Sequence, residues 1–104
     1  MEELKQICWE ILAIEEKLMY GQIPFEYDSL MCALKPGHPM EILDDMLSQI
    51  FWDVQAGREP LLEALRATLE DFKSFRAAFK VNEMTRPIRE IEEYIKGKEE
   101  RGSV

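Results

Sequence analysis

The chain has 104 residues, of which 46% are hydrophobic and 33% charged, and its formal net charge at pH 7 is −8. This length and composition predict one domain with a single core and a polar surface. No apolar stretch approaches the roughly 20 residues needed to span a membrane, and the acidic start MEELK is unlike a signal peptide, so we expect a cytoplasmic protein.

The negative charge belongs to the first half of the chain. Residues 1–57 contain three Lys or Arg and eleven Asp or Glu, whereas residues 58–104 contain ten of each. Nonspecific nucleic-acid binding needs a broad basic surface, so this distribution argues against it. It favours a partner protein with a basic surface instead.

The first predicted helix runs from Glu2 to Tyr20 and ends at Gly21. Its apolar residues recur in steps of three and four, which is typical of a buried helix face. They are Leu4, Ile7, Ile11, Ile14 and Leu18, with Cys8 beside them. Glu15 lies at the edge of this face, and we expect it to pair with a cation, because an unpaired buried carboxylate is costly.

A short second helix is predicted to start at Pro24 or Asp28 and to end before the turn at residues 35–39. His38 lies in that turn, and with no second ligand in register we expect it to be exposed and without a chemical role. Neither Cys8 nor Cys32 belongs to a CxxC motif, which indicates buried thiols rather than metal ligands.

The third predicted helix, residues 40–55, begins after Pro39 and ends near Gly57. Its buried face consists of Leu43, Leu47, Ile50 and Val54. Trp52 falls on the polar side of this helix, near Asp45. It is either an exposed contact residue or is covered by another part of the chain.

The longest amphipathic segment is residues 60–80, with Pro60 at the first helical position. One broad arc of this helix is apolar and predicts a core face, with Leu61, Leu65, Thr68, Leu69, Phe72, Phe75 and Phe79. A basic stripe follows on one flank, formed by Arg66, Lys73, Arg76 and Lys80. The stripe either contacts phosphates or an acidic partner, or pairs with carboxylates of neighbouring helices.

The last helix is predicted to begin near Pro87, with Thr85 as its cap, and to bury Ile88, Ile91, Tyr94 and Ile95. Residues 98–104 are polar, and we expect a frayed tail. The connections are short enough for sequence neighbours to pack antiparallel. The predicted fold is therefore all-α, a compact single-domain bundle of four to five antiparallel helices over residues 1–97.

No phosphate loop, dinucleotide motif or zinc site occurs, so we assign no catalytic, cofactor or metal residue and expect no enzyme. One acidic set stands out. Glu15 and Glu16 match the start of an EExxE pattern, and residues 41–44 match ExxD. In this the chain resembles the MazG-type nucleotide pyrophosphohydrolases, which would imply Mg²⁺-dependent nucleotide hydrolysis as a remote alternative. Met19 stands where the third acidic residue of the first motif is expected.

The sequence favours a non-catalytic interaction module, a small acidic adaptor or inhibitor that occupies a partner's basic surface. The predicted partner-binding residues are Trp9, Glu16, Tyr20, Glu41, Asp45, Trp52 and Asp53. A structural subunit of a larger protein or nucleoprotein complex is the alternative, with the basic stripe on phosphates. Self-association is a third hypothesis.

Overall fold

The computed structural model describes residues 2–26 and 38–102. Four helices account for most of this part of the chain: α1 (Glu2–Met19), α2 (Pro39–Gln55), α3 (Leu62–Phe79) and α4 (Thr85–Gly102). A single 3₁₀ turn, Asn82–Met84, joins α3 to α4. The predicted all-α bundle is confirmed. The body of the predicted second helix lies outside the described residues.

The helices form a closed ring in which each packs against the next and α4 returns to α1. Contacts between α3 and α4 show the antiparallel direction. Arg66 near the start of α3 pairs with Glu99 near the end of α4, and Lys73, two turns later in α3, pairs with Glu92, two turns earlier in α4. Sequence neighbours are thus antiparallel, as the short connections require.

All four helices contribute to one core, and the three phenylalanines of α3 are fully buried in it. The rings of Phe75 and Phe79 lie 5.1 Å apart between centroids. Burying a side chain of this size contributes about 1.5–3 kcal/mol to folding. The apolar patterns predicted for α1, α2 and α3 are buried, with one exception. Leu61 is 75% exposed, because α3 begins one residue later and Leu61 is its N-cap in extended conformation.

Three predicted helix ends are wrong, the first being the start of α3, which begins at Leu62 and not at Pro60. Helix α4 begins at Thr85 rather than near Pro87, and it continues beyond Gly97 to Gly102, through residues predicted as a tail. Lys98 pairs with Glu59, and Glu99 pairs with Arg66, so this last part of α4 is fastened to the rest of the bundle. The end of α1 is confirmed, with Gly21 in the left-handed region at φ 69°.

His38 has a structural role that the sequence analysis missed. Its Nδ1 accepts a hydrogen bond from the backbone N–H of Met40 at 3.1 Å, so His38 is the N-cap of α2. Its ring also meets Phe25 edge to face, with centroids 5.3 Å apart. The expectation of an exposed turn histidine is therefore wrong, because the side chain satisfies a backbone donor at the helix start.

The predicted buried thiol is confirmed for Cys8, whose pKa is raised to about 11 by burial. Cys8 is a free cysteine, and Cys32 lies outside the described residues. Among the helices described here, none has both the length and the apolar character that crossing a membrane requires.

Candidate interaction surfaces

The predicted partner-binding residues lie mainly on two helix faces that point away from the core. The first, called here the α1 outer face, carries Lys5, Trp9, Ala13, Glu16 and Tyr20. The second, the α2 outer face, carries Glu41, Asp45, Ser48 and Trp52. The alternative left open for Trp52 resolves toward exposure, since its side chain is 67% exposed, and Trp9 is 54% exposed.

Asp53 does not belong to the α2 outer face. It is half-buried and pairs with Arg58, whose guanidinium nitrogen lies 3.2 Å from the carboxylate. This ion pair closes the turn that follows α2, where the backbone N–H of Arg58 also donates to the Asp53 carbonyl at 2.8 Å. The side chain therefore shapes the turn.

The α2 outer face is acidic and lacks positive charge of its own. Residues 38–57 contain no Lys or Arg. Glu41 and Asp45 are exposed, and neither forms an ion pair with any residue in the described ranges. The indole of Trp52 lies edge to face with the half-buried ring of Phe51, with the ring centroids 5.4 Å apart and an interplanar angle of 73°.

The basic stripe of α3 is largely engaged with α4. Arg66 lies 2.5 Å from Glu99, and Lys73 lies 3.2 Å from Glu92. The hydrogen bond to Glu92 is the main reason that the pKa of Lys73 is raised. Arg76 donates to the Thr85 hydroxyl at 3.4 Å. These contacts match the structural interpretation of the stripe, in which cations hold neighbouring helices together.

Lys80 is the exception within the stripe. It is exposed and ends α3 with a left-handed backbone, φ 58°. This conformation is unusual for a residue with a Cβ and more typical of glycine. No sequence signal marks Lys80 as the residue that would adopt it.

Glu15 and Asp44 face each other between α1 and α2. Glu15 is only 6% exposed, and its Oε1 is buried without a hydrogen-bond partner. Burial chiefly raises the pKa of Glu15 to about 8, and the charge of Asp44 and a hydrogen bond with it add to the effect. The predicted pairing with a cation is wrong within the described part of the chain, because the facing group is another carboxyl group.

The remaining members of the acidic set do not join this pair. Glu16 lies on the α1 outer face, while Glu41 and Asp45 lie on the α2 outer face. Within residues 2–26 and 38–102, no three His, Cys, Asp or Glu side chains gather into a metal site. What the Glu15–Asp44 pair can do chemically is hold a proton between two helices.

A second carboxyl pair, which the sequence analysis missed, joins α1 to α4. The pKa of Glu10 is raised by partial burial and by a hydrogen bond and repulsion from Glu90, while Arg86 opposes the shift. The guanidinium of Arg86 lies 3.8 Å from Glu10 and 3.5 Å from Glu90. The two carboxyl groups are 80 residues apart in the chain, so no local spacing could have paired them.

A third polar cluster fastens the α2–α3 connection to α4. The Tyr94 hydroxyl donates to Glu59 Oε1 at 2.6 Å, and Lys98 pairs with the same oxygen. These two contacts lower the pKa of Glu59. All the groups in this cluster are used within the fold, so it is a structural contact.

Comparison of the chain with protein-family models, with curated proteins and with solved structures gave no match. Function is therefore inferred from the surface chemistry of this chain alone.

Proposed function

We propose that the protein is a non-catalytic interaction module, a small acidic adaptor or inhibitor, whose α2 outer face binds a basic surface of a partner protein. One observation carries this proposal. Glu41 and Asp45 are exposed, have no ion pair with the described residues, and share a helix face with Trp52, which is 67% exposed. Large aromatic residues supply much of the binding energy of protein interfaces, and complementary charges give specificity and fast association.

The two halves of the chain differ in how their charged side chains are paired. In the second half, which has no net charge, Arg66, Lys73 and Lys98 are all paired within the fold. In the first half, which has the whole net charge of −8, the carboxylates of the α2 outer face form no ion pair with any residue that the structure describes. A partner could supply lysine or arginine side chains to pair with these carboxylates, as cations of the same chain pair with carboxylates in the second half.

The spacing on α2 defines the kind of basic surface that fits. Glu41, Asp45, Ser48 and Trp52 are separated by four, three and four residues, so they form one stripe about 16 Å long at 1.5 Å per residue. Trp52 at one end can bind a guanidinium or ammonium group over its ring through a cation–π interaction. Asp45 and Glu41 lie two and three turns from Trp52, so they would pair with cations at matching distances on a helix or an extended segment of the partner.

The test is capture of partners by the tagged chain, compared between two matched triple variants. The first variant carries Glu41→Gln, Asp45→Asn and Trp52→Ala on the α2 outer face. The second carries Leu61→Ala, Glu63→Gln and Glu83→Gln, which are exposed residues of the other half. We expect a protein with a basic surface to be retained by the wild type and by the second variant but lost from the first, with helicity unchanged by circular dichroism.

The same complex should then be titrated at 50 and 300 mM NaCl. Affinity should fall by about tenfold or more, because exposed charge pairs are screened by salt. Equal capture by the first variant and the wild type would contradict the proposed face. A salt-insensitive complex would contradict its electrostatic character.

The alternative of a nucleoprotein subunit has less support. It needs the basic stripe of α3 to be free for phosphates, and Arg66 and Lys73 are already paired with α4. Reversing charge at Lys73 and Lys80 separates the two hypotheses. Under the proposed function, Lys73→Glu lowers stability and Lys80→Glu changes little, with partner capture intact in both.

A further inference from the structure

The α1 outer face is the second exposed surface with aromatic anchors, and the described residues of the same chain leave it uncovered. Trp9 is 54% exposed and Tyr20 is 67% exposed, and the small residue Ala13 lies between them. These residues are on the side of α1 opposite the buried seam. Exposed apolar patches of this kind mark interaction sites on globular proteins.

The residues along this face are complementary to those of the same face on a second, antiparallel copy of α1. Consider two copies of α1 packed antiparallel, with a two-fold axis at the level of Ile11. Trp9 of each copy then lies level with Ala13 of the other, and Glu2 lies level with Tyr20 of the other. The large residue meets a small one, and a phenolic hydroxyl meets a carboxylate acceptor.

The shape of this pairing suits close helix packing. Ala13 is small and exposed, so in this register the indole ring of Trp9 would face a short side chain of the second copy. The two Trp9 residues would lie about 6 Å apart along the helix direction, one on each side of the axis. Paired central tryptophans shielded from water are typical hot spots of protein interfaces.

The charges agree with the same register. Lys5 and Glu16 lie on the same flank of α1, roughly 20° apart around the helix. The two-fold axis brings equal flanks together and sets Lys5 within one residue, about 1.5 Å, of the level of Glu16 of the second copy, so the opposite charges meet twice. Neither side chain has an ion pair with a described residue of its own chain. A parallel pairing would instead set each of these residues level with its own copy, and the contact between opposite charges would be lost.

We propose that the α1 outer face pairs with the same face of a second copy, giving an antiparallel two-fold dimer centred at Ile11. This surface lies on a different helix from the α2 outer face and does not depend on the proposed function. A dimer of this kind presents two α2 outer faces at once. Two linked sites raise the apparent affinity for a multivalent basic partner without any new contact.

The dimer is tested by a charge swap followed in sedimentation equilibrium from 1 to 200 µM at 50 mM NaCl. The wild type should reach twice the chain mass of 12.2 kDa. Lys5→Glu alone and Glu16→Lys alone each set like charges together twice, and each should weaken the dimer about tenfold. The double variant restores opposite charges and should recover the wild-type affinity to within a few fold.

Two aromatic variants complete the test. Trp9→Ala should remove the dimer, and Trp52→Ala, at the other exposed tryptophan, should leave it intact. A monomeric wild type over the whole concentration range would overturn the proposal, as would a double variant that fails to recover. Trp9 fluorescence, measured in a Trp52→Phe background, provides a further check. If the chain is monomeric and this fluorescence resists quenching by iodide, another part of the same chain covers the α1 outer face. That result would also overturn the dimer.

Discussion

Replacing Glu15 with glutamine tests the buried carboxyl pair directly. Glutamine keeps the shape of the side chain and can still hydrogen-bond to Asp44, but it has no ionised form. Glu15 is 6% exposed, and its pKa is raised from 4.5 to about 8. The consequence is a pH dependence of folding stability that the wild type has and the variant lacks.

The sign follows from the protons bound in each state. Between pH 4.5 and about 8 the folded chain retains the Glu15 proton, while the unfolded chain has lost it. The free energy of unfolding must therefore fall as pH rises, by about 1.4 kcal/mol per pH unit for this one group. Over the full window the loss approaches about 5 kcal/mol, a large share of the 5–15 kcal/mol typical of such a domain. The contribution is fully present below pH 4.5 and gone above pH 8.

The assay is urea unfolding followed by circular dichroism at 222 nm, from pH 4.5 to 9. The Glu15→Gln variant should match the wild type within about 1 kcal/mol at the acid end, where both side chains are neutral. It should then become progressively more stable than the wild type as pH rises. At about 1–3 kcal/mol per molar urea, the difference at pH 8 corresponds to a midpoint shift of roughly 2 M or more.

Glu16→Gln is the matched control, because Glu16 is the next residue and is exposed. Its stability curve should run parallel to that of the wild type. The Glu10–Glu90 pair, whose effect has the same sign, is unchanged in all three proteins and cancels from the differences. A stability difference between Glu15→Gln and the wild type that is constant with pH would refute the reasoning, because it would mean that Glu15 ionises equally in folded and unfolded chains.

Three further predictions concern single side chains. His38→Ala should lower the free energy of unfolding, measured in urea, by about 1 kcal/mol, because the N-cap is lost. His38→Asn should recover part of this loss, because asparagine also caps helices, and equal losses in both variants would contradict the cap. Thr68 is fully buried, and its hydroxyl has no hydrogen-bond partner, so Thr68→Val should raise the unfolding free energy by about 1 kcal/mol, whereas Thr68→Ser should lower it. In a Cys32→Ser background, Cys8 should react with a thiol reagent only as fast as the bundle opens, because burial raises its pKa to about 11; immediate reaction would contradict the buried position.

Periodicity was enough to predict the helices and most of the core, because the spacing of apolar residues is a local property of the chain. It predicted the buried seam from Leu4 to Leu18 and the phenylalanines of α3. It failed at Leu61, which continues the apolar spacing but lies one residue before the helix starts. Helix ends depend on caps and on contacts from distant residues, as Lys98 and Glu59 show at the end of α4.

The partners of the charged residues could not be predicted in the same way. Glu15 was recognised as lying on the edge of a buried face, but which group faces it depends on how α1 and α2 are set against each other. The pairing of Lys73 with Glu92 and the hydrogen bond that His38 Nδ1 accepts from the Met40 N–H likewise depend on the folded geometry. Exposure of Trp9 and Trp52 is a tertiary property too, because each could have been covered by another helix without any change in local pattern.

The distribution of charge connects the buried carboxyl pair to the proposed interaction. The first half of the chain carries all of the net negative charge, and the repulsion between its carboxylates opposes folding. Protonation of Glu15 relieves part of it at neutral pH, since one carboxyl group between α1 and α2 is kept uncharged. Cations brought to the α2 outer face by a partner would act on the same local potential, and Asp44 lies on that helix between Glu41 and Asp45. Binding of a basic partner would therefore favour the ionised form of Glu15, and by linkage the protonated form would weaken the binding. The carboxylates that destabilise the free chain are thus the groups through which a basic partner would stabilise it.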